Sequence, residues 1–435
     1  TFNIDVDPIY DGEYIYPDGP VQDILMAAAF GGTVTLEQDV TIPEAEIHIY
    51  KDMVINLNGH NLSCTGTTSL FRVDNGANLI VNGDGVIDTE GYFASANEGA
   101  TVTINGGTFY CGWTCLQANG GKVFVKDGIF EVNKGNEGQG YTLNHVNAMK
   151  DVGLIEVTGG KFKHYDPSVS YGEQPPMNFV KEGYSSVKDG DYYKVVEGEN
   201  VVSVSSDADL KAALTADVEN ISLYLASDVT YDVAAHNTDA MGGASTKSIV
   251  IEGNGKTITF NHTNSDWNNI VTNGGATLTI NNATITNAGE NNGPWNRHDL
   301  NFACNVVLNN VTSDKAMAFK AGATLTNVTI NDANTSDTYA IWIQPKGQTV
   351  TLDGCTIDML ACTDGRGIKI DNQYVSAADE AKVTLNVSNT VFKTEEKSAI
   401  LVKSTKGADI TLSNIDITEV AADSTNPVWV DDAAA

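Results

Sequence analysis

Hydrophobic positions in this chain come in short alternating runs, each closed by a polar or glycine turn. INLNGHNLSC from Ile55, LIVNGDGVIDT from Leu79, VTINGGTFYC from Val102, VFVKDGIFEV from Val123 and IEVTGGKFKH from Ile155 follow one pattern. Each alternates at the period of two that marks a strand, turns through a residue pair, and resumes as a second short strand. The turn residues Asn58, Asn82, Asn105 and Asp127 are spaced 24, 23 and 22 residues apart. A near-constant step of that size reads as one coil of a parallel β-helix. From Ile249 onward the pattern recurs with Asn replacing many glycines, as in IVIEGNGKTITF, LTINNATITN at Leu278, VVLNNVTSD at Val306 and TVTLDGCTID at Thr349. The steps are less regular there, which predicts loops of different length between coils.

Stacked coils pair edge to edge at about 4.8 Å around one continuous core. A sharp corner between two faces needs a positive φ, which Gly or Asn accepts at low steric cost. The glycine pair of VTINGGTFYC therefore predicts a corner rather than a ligand cradle. Asn in successive coils can also pass amide hydrogen bonds along the stack. Both halves open alike: VQDILMAAAF from Val21 and DADLKAAL from Asp207 read as short amphipathic helices, each followed by a strand. Helices so placed would cover the open end of a solenoid. NFVKEGYSSVKDGDYYKVVEG between the halves predicts a β-hairpin linker turning at Asp189-Gly190.

Composition narrows the function classes. The chain has 435 residues, 41% of them hydrophobic, enough for a large core. Its net charge of −31, from 56 acidic and 25 basic residues, opposes nucleic acid, anionic lipid and polyanionic sugars. No apolar run approaches the roughly 20 residues that span a bilayer, so neither nucleic acid nor membrane is an expected partner. The start, TFNIDVDPIYDGEY, lacks the basic and apolar regions of a secretion signal. A removed signal and a native start after Met trimming both remain open. Six cysteines in this length make no disulfide scaffold or zinc site, so buried free thiols are expected.

At the end of the first half, Tyr141 to Val196, the wording becomes specific. YTLN, VTGGKF, YDPS, NFV, EGY and YYKVV resemble the closing module of right-handed β-helix proteins from tailed bacteriophages of gut bacteria and from related bacterial surface proteins. The resemblance covers about an eighth of the chain closely and the rest by architecture. It implies an all-β chain of two tandem right-handed parallel β-helices, each opened by a capping helix, and a place on the virion as head fibre or capsid decoration. It brings no catalytic residues. The expected boundaries are an N-terminal attachment arm over 1–20, a first β-helix over 21–180, the hairpin linker over 181–200 and a second β-helix over 201–435.

The best-known enzymes of such a fold are pectin and pectate lyases and polygalacturonases. A polyuronate lyase needs a calcium-binding carboxylate cluster and a basic residue that removes a sugar proton. Here Arg72, Arg297 and Arg366 are the whole arginine complement, and the Gly-His-Gly and paired-Asp motifs of the hydrolases are absent. The candidate CTDGRGIKIDN holds Asp364, Arg366, Lys369 and Asp371; Lys369 and Asp371 alternate with Ile368 and Ile370, and the group reads as a charged solvent face. No catalytic residue, metal cluster or cofactor is expected. The insertion GENNGPWNRHDLNF offers a sugar-binding patch in Trp295, Arg297, His298 and Asp299, joined by Trp267, since Trp presents a flat face beside hydrogen-bonding neighbours. Trp113, Trp342 and Trp429 are expected to be packing residues. The acidic start, with Ile9, Tyr10, Tyr14 and Tyr16 interleaved, predicts an arm that docks on a capsid or other virion protein. The sequon asparagines Asn282 and Asn310 fall at corners and are expected to be ladder residues. The expectation is a non-enzymatic structural or adhesive protein presenting a surface to host or mucosal glycans, with self-association possible. A secreted β-helix enzyme acting on a neutral glycan and a bacterial surface adhesin are the alternatives.

Overall fold

The computed structural model describes residues 19–43, 46–132, 141–170, 172–173, 175–232, 239–241, 247–261, 277–288, 300–331, 339–362, 365–394, 399–417 and 428–430. The chain divides into two units, Thr1–Val201 and Val202–Ala435. The fold is all-β, and each unit is a right-handed parallel β-solenoid, about 13 turns in the two together among the described residues. Each unit is described by itself.

In the first unit each early coil contributes three strands, such as Met53–Asn56, Leu62–Cys64 and Ser69–Val73, one to each of three faces. Parallel pairing stacks like on like. Val34, Ile55, Val81, Ile104, Val125 and Val157 stand in register on the first face, and all point into the core. Phe71, Phe93, Phe109, Phe130 and Phe162 form a second column, with ring centroids 5.6, 5.1, 4.8 and 5.0 Å apart. Coil spacing brings such rings to the distance at which aromatic pairs attract.

The glycine pair is a corner. Thr101–Cys111 runs through it as one strand, and the ladder to Lys122–Val132 slips between Ile104 and Thr108. Gly107 has φ +100, and a Cβ on Gly106 would stand 3.0 Å from the Gly83 carbonyl oxygen. The repeat phase differs from the sequence reading at one coil. Asn82 pairs with Asn56, not Asn58, and the amide ladder runs Asn105 to Asn82 to Asn56 to Thr35 over 2.8, 3.0 and 3.1 Å. Asn58, two residues on, is the corner itself at φ 52. Residues inserted between strands lengthen this step to 26 without disturbing the stack.

Helix α1, Pro20–Phe30, opens the unit with Pro in its first turn and buries Ile24, Leu25, Ala27 and Ala28. The expected linker hairpin belongs to this unit's other end. Tyr184–Asp189 and Tyr192–Glu197 pair with each other, and Tyr192–Lys194 pairs antiparallel with Lys161–Lys163. The hairpin thus covers strand edge that would otherwise be unpaired.

Helix α2, Asp207–Thr215, opens the second unit. The Ser206 side chain accepts from the Asp209 N–H, an N-cap, while Leu210, Ala213 and Leu214 are buried. Among the described residues its three sheets join nine, eight and six strands. Asn254, Asn282, Asn310, Asn327, Asn389 and Asn414 occupy left-handed backbone at φ 49 to 53, with Gly354 in the same role at φ 66. Asn310 donates to Asn282 over 3.0 Å and accepts from Asn327 over 3.2 Å; Asn414 donates to Asn389 over 2.7 Å. Asn282 and Asn310 are ladder residues, as expected.

Candidate functional site

The patch expected from the sequence, Trp267, Trp295, Arg297, His298 and Asp299, lies outside the described residues, as do the arm residues Ile9, Tyr10, Tyr14 and Tyr16. Trp429 lies in the strand Val428–Val430, but its side chain is outside the description. The site is therefore built from the outward faces of described coils.

The third face of the second unit corrects one expectation. Lys369 and Asp371 are not a solvent face: their side chains are 14% and 8% exposed, and they pair at 2.8 Å. Arg366 is buried as well, while Asp364 falls outside the described residues. Lys369 is outward in the strand alternation, in register with Trp342, and its ammonium lies 5.5 Å from the Tyr339 ring centre. The cause is a chain excursion after Asp371 that lays Tyr374 edge-on against Trp342, centroids 6.0 Å apart. It is pinned where Ala381 bridges Lys346 and where Glu380 accepts from Ser404 and Thr405 at 2.7 to 2.9 Å. Burial would raise the Glu380 carboxyl, but the Thr405 and Ser404 hydroxyls and the Asn372 amide hold it down at about 2. Trp342 is the packing residue expected, although it packs outside the solenoid core, with Ala318 and Tyr339.

The second face of the first unit carries a row of charged and phenolic side chains. Asp88, Tyr110, Glu131, Lys163 and Tyr192 follow one another across the coils. Glu131 is 7% exposed, accepts from Tyr192 Oη over 2.6 Å and pairs with Lys163 at 3.0 Å. The Tyr192 phenol, bonded to that carboxylate and partly desolvated, is pushed up to about 12. A phenol held protonated is a donor rather than a base, and its bond to Glu131 is joined there by the Lys163 pair. This arrangement fixes the hairpin; it does not assemble a proton-transfer pair. Among the described residues no three His, Cys, Asp or Glu side chains converge as a metal site.

The third face of the first unit is of another kind. Arg72, Ser95, Gln117 and Asn144 stand in register, with Asn144 donating to Gln117 over 2.9 Å and Gln117 to Ser95 over 3.2 Å. Beside them Asn119 donates to Asn97 over 2.9 Å, and Asn97 to Asp74. At the corner where this face begins stand Trp113 and Tyr141, one coil apart, their rings 6.4 Å between centroids and tilted by only 15°. Trp113 is 46% exposed, which corrects its expected packing role. The reason lies in its neighbour. A Cβ on Gly112 would stand 1.9 Å from the Glu90 carbonyl, so the backbone is pressed onto the coil below. The bulky ring is left to the outside. The sequence signal was available: CGWTC and the Tyr141 that follows are separated by about one coil.

The solenoid fold and the family match that follows support a class, the parallel β-helix surface protein. Over residues 201–320 the chain matches a family model described as a pectate lyase-like adhesive domain. Comparisons with curated proteins and with solved structures return no match. All six cysteines are buried, as the sequence led us to expect, and Cys64, Cys111, Cys115, Cys304 and Cys355 are free thiols.

Proposed function

We propose that the protein is a non-enzymatic adhesive element, a capsid decoration or head fibre of a tailed bacteriophage that presents its outer faces to host or mucosal glycans. Residues 1–20 are its attachment arm to a capsid or other virion protein, and its place is the virion surface. The observation that carries the reading is the chemistry of those faces. Thr257, Thr284, Thr312, Thr329 and Thr356 stand opposite one another in five successive coils, and the amide ladders run beside them. Hydroxyls and amides at about 4.8 Å spacing suit many weak hydrogen bonds to a hydroxylated polymer. The adhesive family match over residues 201–320 supports the same reading, and the wording of Tyr141 to Val196 supports the phage setting.

Two measurements test it. Gold-labelled antibody against the chain should decorate phage particles from a producing culture; label confined to bacterial cells would sink the virion assignment. The purified chain should be retained on immobilised mucin stripped of sialic acid and sulfate, without releasing new reducing ends. Steady release of sugar would show an enzyme instead.

A further inference from the structure

We propose that Trp113 and Tyr141, with Gln117 and Asn144, form a binding subsite for a neutral linear glycan on the third face of the first unit. The inference rests on the adhesive reading and gives it a place and a ligand class. Four observations converge. The two rings are near parallel and stack across adjacent coils with centroids 6.4 Å apart, so together they make an aromatic surface at this corner. Half of Trp113 remains exposed, unusual for the most costly side chain to leave in water, and Gly112 holds it there. A pyranose ring has an apolar C–H face that fits such a platform.

The polar half of the recognition lies four residues after Trp113 and three after Tyr141, on the strands that follow them. Leu116–Asn119 pairs with Leu143–His145, which aligns Gln117 with Asn144 and carries both side chains outward from the core. A primary amide has two N–H donors and an oxygen with two lone pairs. The bond from Asn144 to Gln117 uses one donor of the first and one lone pair of the second, and the bond to Ser95 uses one donor of Gln117. Donors and acceptors of both kinds remain, which is what sugar hydroxyls require. The ladder also fixes the two amides before a ligand arrives, so little ordering entropy is lost on binding.

Charge selects the ligand further. A chain of net charge −31 repels sulfated, uronate and sialylated polymers. The same surface places no penalty on neutral hexose or N-acetylhexosamine chains. An aromatic platform alone would also suit a nucleic-acid base, but the phosphates are excluded on the same ground.

The probe is a panel of neutral tri- to hexasaccharides of hexose and N-acetylhexosamine, titrated into the full chain with tryptophan fluorescence and calorimetry as readouts. At least one should bind and alter the fluorescence. Trp113→Ala should weaken that binding roughly tenfold or more, Tyr141→Phe should leave it within a few-fold, and Gln117→Ala should weaken it without changing the melting temperature by more than a few degrees. A Trp113→Phe variant keeps a ring at the corner and should retain part of the affinity, which guards against loss of binding through misfolding. If a sugar binds the wild type and Trp113→Ala equally, this subsite is wrong while the adhesive reading stands. If no neutral sugar binds the wild type, both the subsite and its ligand class fall. Trp113-dependent binding of an acidic glycan in preference to neutral ones would overturn the charge argument.

Discussion

A left-handed asparagine combines two roles that no other residue type joins so easily. At Asn310 the backbone sits at φ 53 while the side-chain amide links Asn282 to Asn327. Alanine there would lose the ladder bonds and meet the steric cost of left-handed backbone, together about 2–3 kcal/mol. Glycine would lose only the bonds. Thermal melting should therefore rank wild type above Asn310→Gly above Asn310→Ala; alanine melting above glycine would refute the backbone half of the account. A second residue sets a pH limit. Tyr192 has an ordinary value of 10.0 and is raised in the fold to about 12 by its bond to Glu131. A raised phenol stabilises the fold fully below the ordinary value and ceases to do so as pH climbs through the raised one. Stability should thus fall between pH 10 and about 12, and Tyr192→Phe should remove part of that fall while Tyr193→Phe should not. Chemical denaturation across the alkaline range would measure it.

At the scale of elements, the corner is what turns a strand pattern into a coil, and its glycines are not equivalent. Gly112 faces the Glu90 carbonyl so closely that a methyl would stand 1.9 Å from it, with the Glu90 backbone around it. Gly112→Ala should force the two coils apart at this corner and lower stability by more than about 2 kcal/mol, whereas Gly190→Ala at the hairpin tip, with open space around its Cβ, should cost only the strain of its φ of 64. Equal losses would mean that stacking at the corner is looser than its geometry indicates. The same element shows what the sequence could disclose. Alternation and turn residues carried the coils, both capping helices and the ladder, because each is a local pattern with a fixed period. Alternation repeats every two residues, so a slip of two leaves it intact, and that is why Asn58 stood in for Asn56. Alternation also says which way Lys369 points but not what lies above it. The excursion from Asn372 to Lys382 that buries it is a long-range contact with no periodic trace. Trp113 escaped for the converse reason: an exposed tryptophan differs from a packed one only through the Gly112 contact with the coil below.

For the whole molecule, charge and salt provide the sharpest test, because two effects of opposite sign compete. The net charge of −31 makes the folded chain repel itself, and added salt relieves that repulsion. Salt also weakens ion pairs, but few of them are placed to matter. Exposed pairs such as Lys382 with Asp409 and Lys181 with Glu156 are worth roughly 0–1 kcal/mol each. Lys163–Glu131 and Lys369–Asp371 are buried enough to be screened little. Relief of repulsion should therefore win, and the melting temperature should rise between about 0.01 M and 0.15 M salt, where the screening length falls from about 30 to 8 Å. A falling melting temperature would mean that ion pairs, rather than the hydrophobic columns and amide ladders, hold the solenoid. The same titration bears on recognition. A neutral glycan held by stacking and amide hydrogen bonds should bind with an affinity nearly independent of salt over that range, whereas an acidic ligand approaching this surface would bind more tightly as salt rises. The slope of affinity against salt thus reports the charge of the natural ligand even before its structure is known.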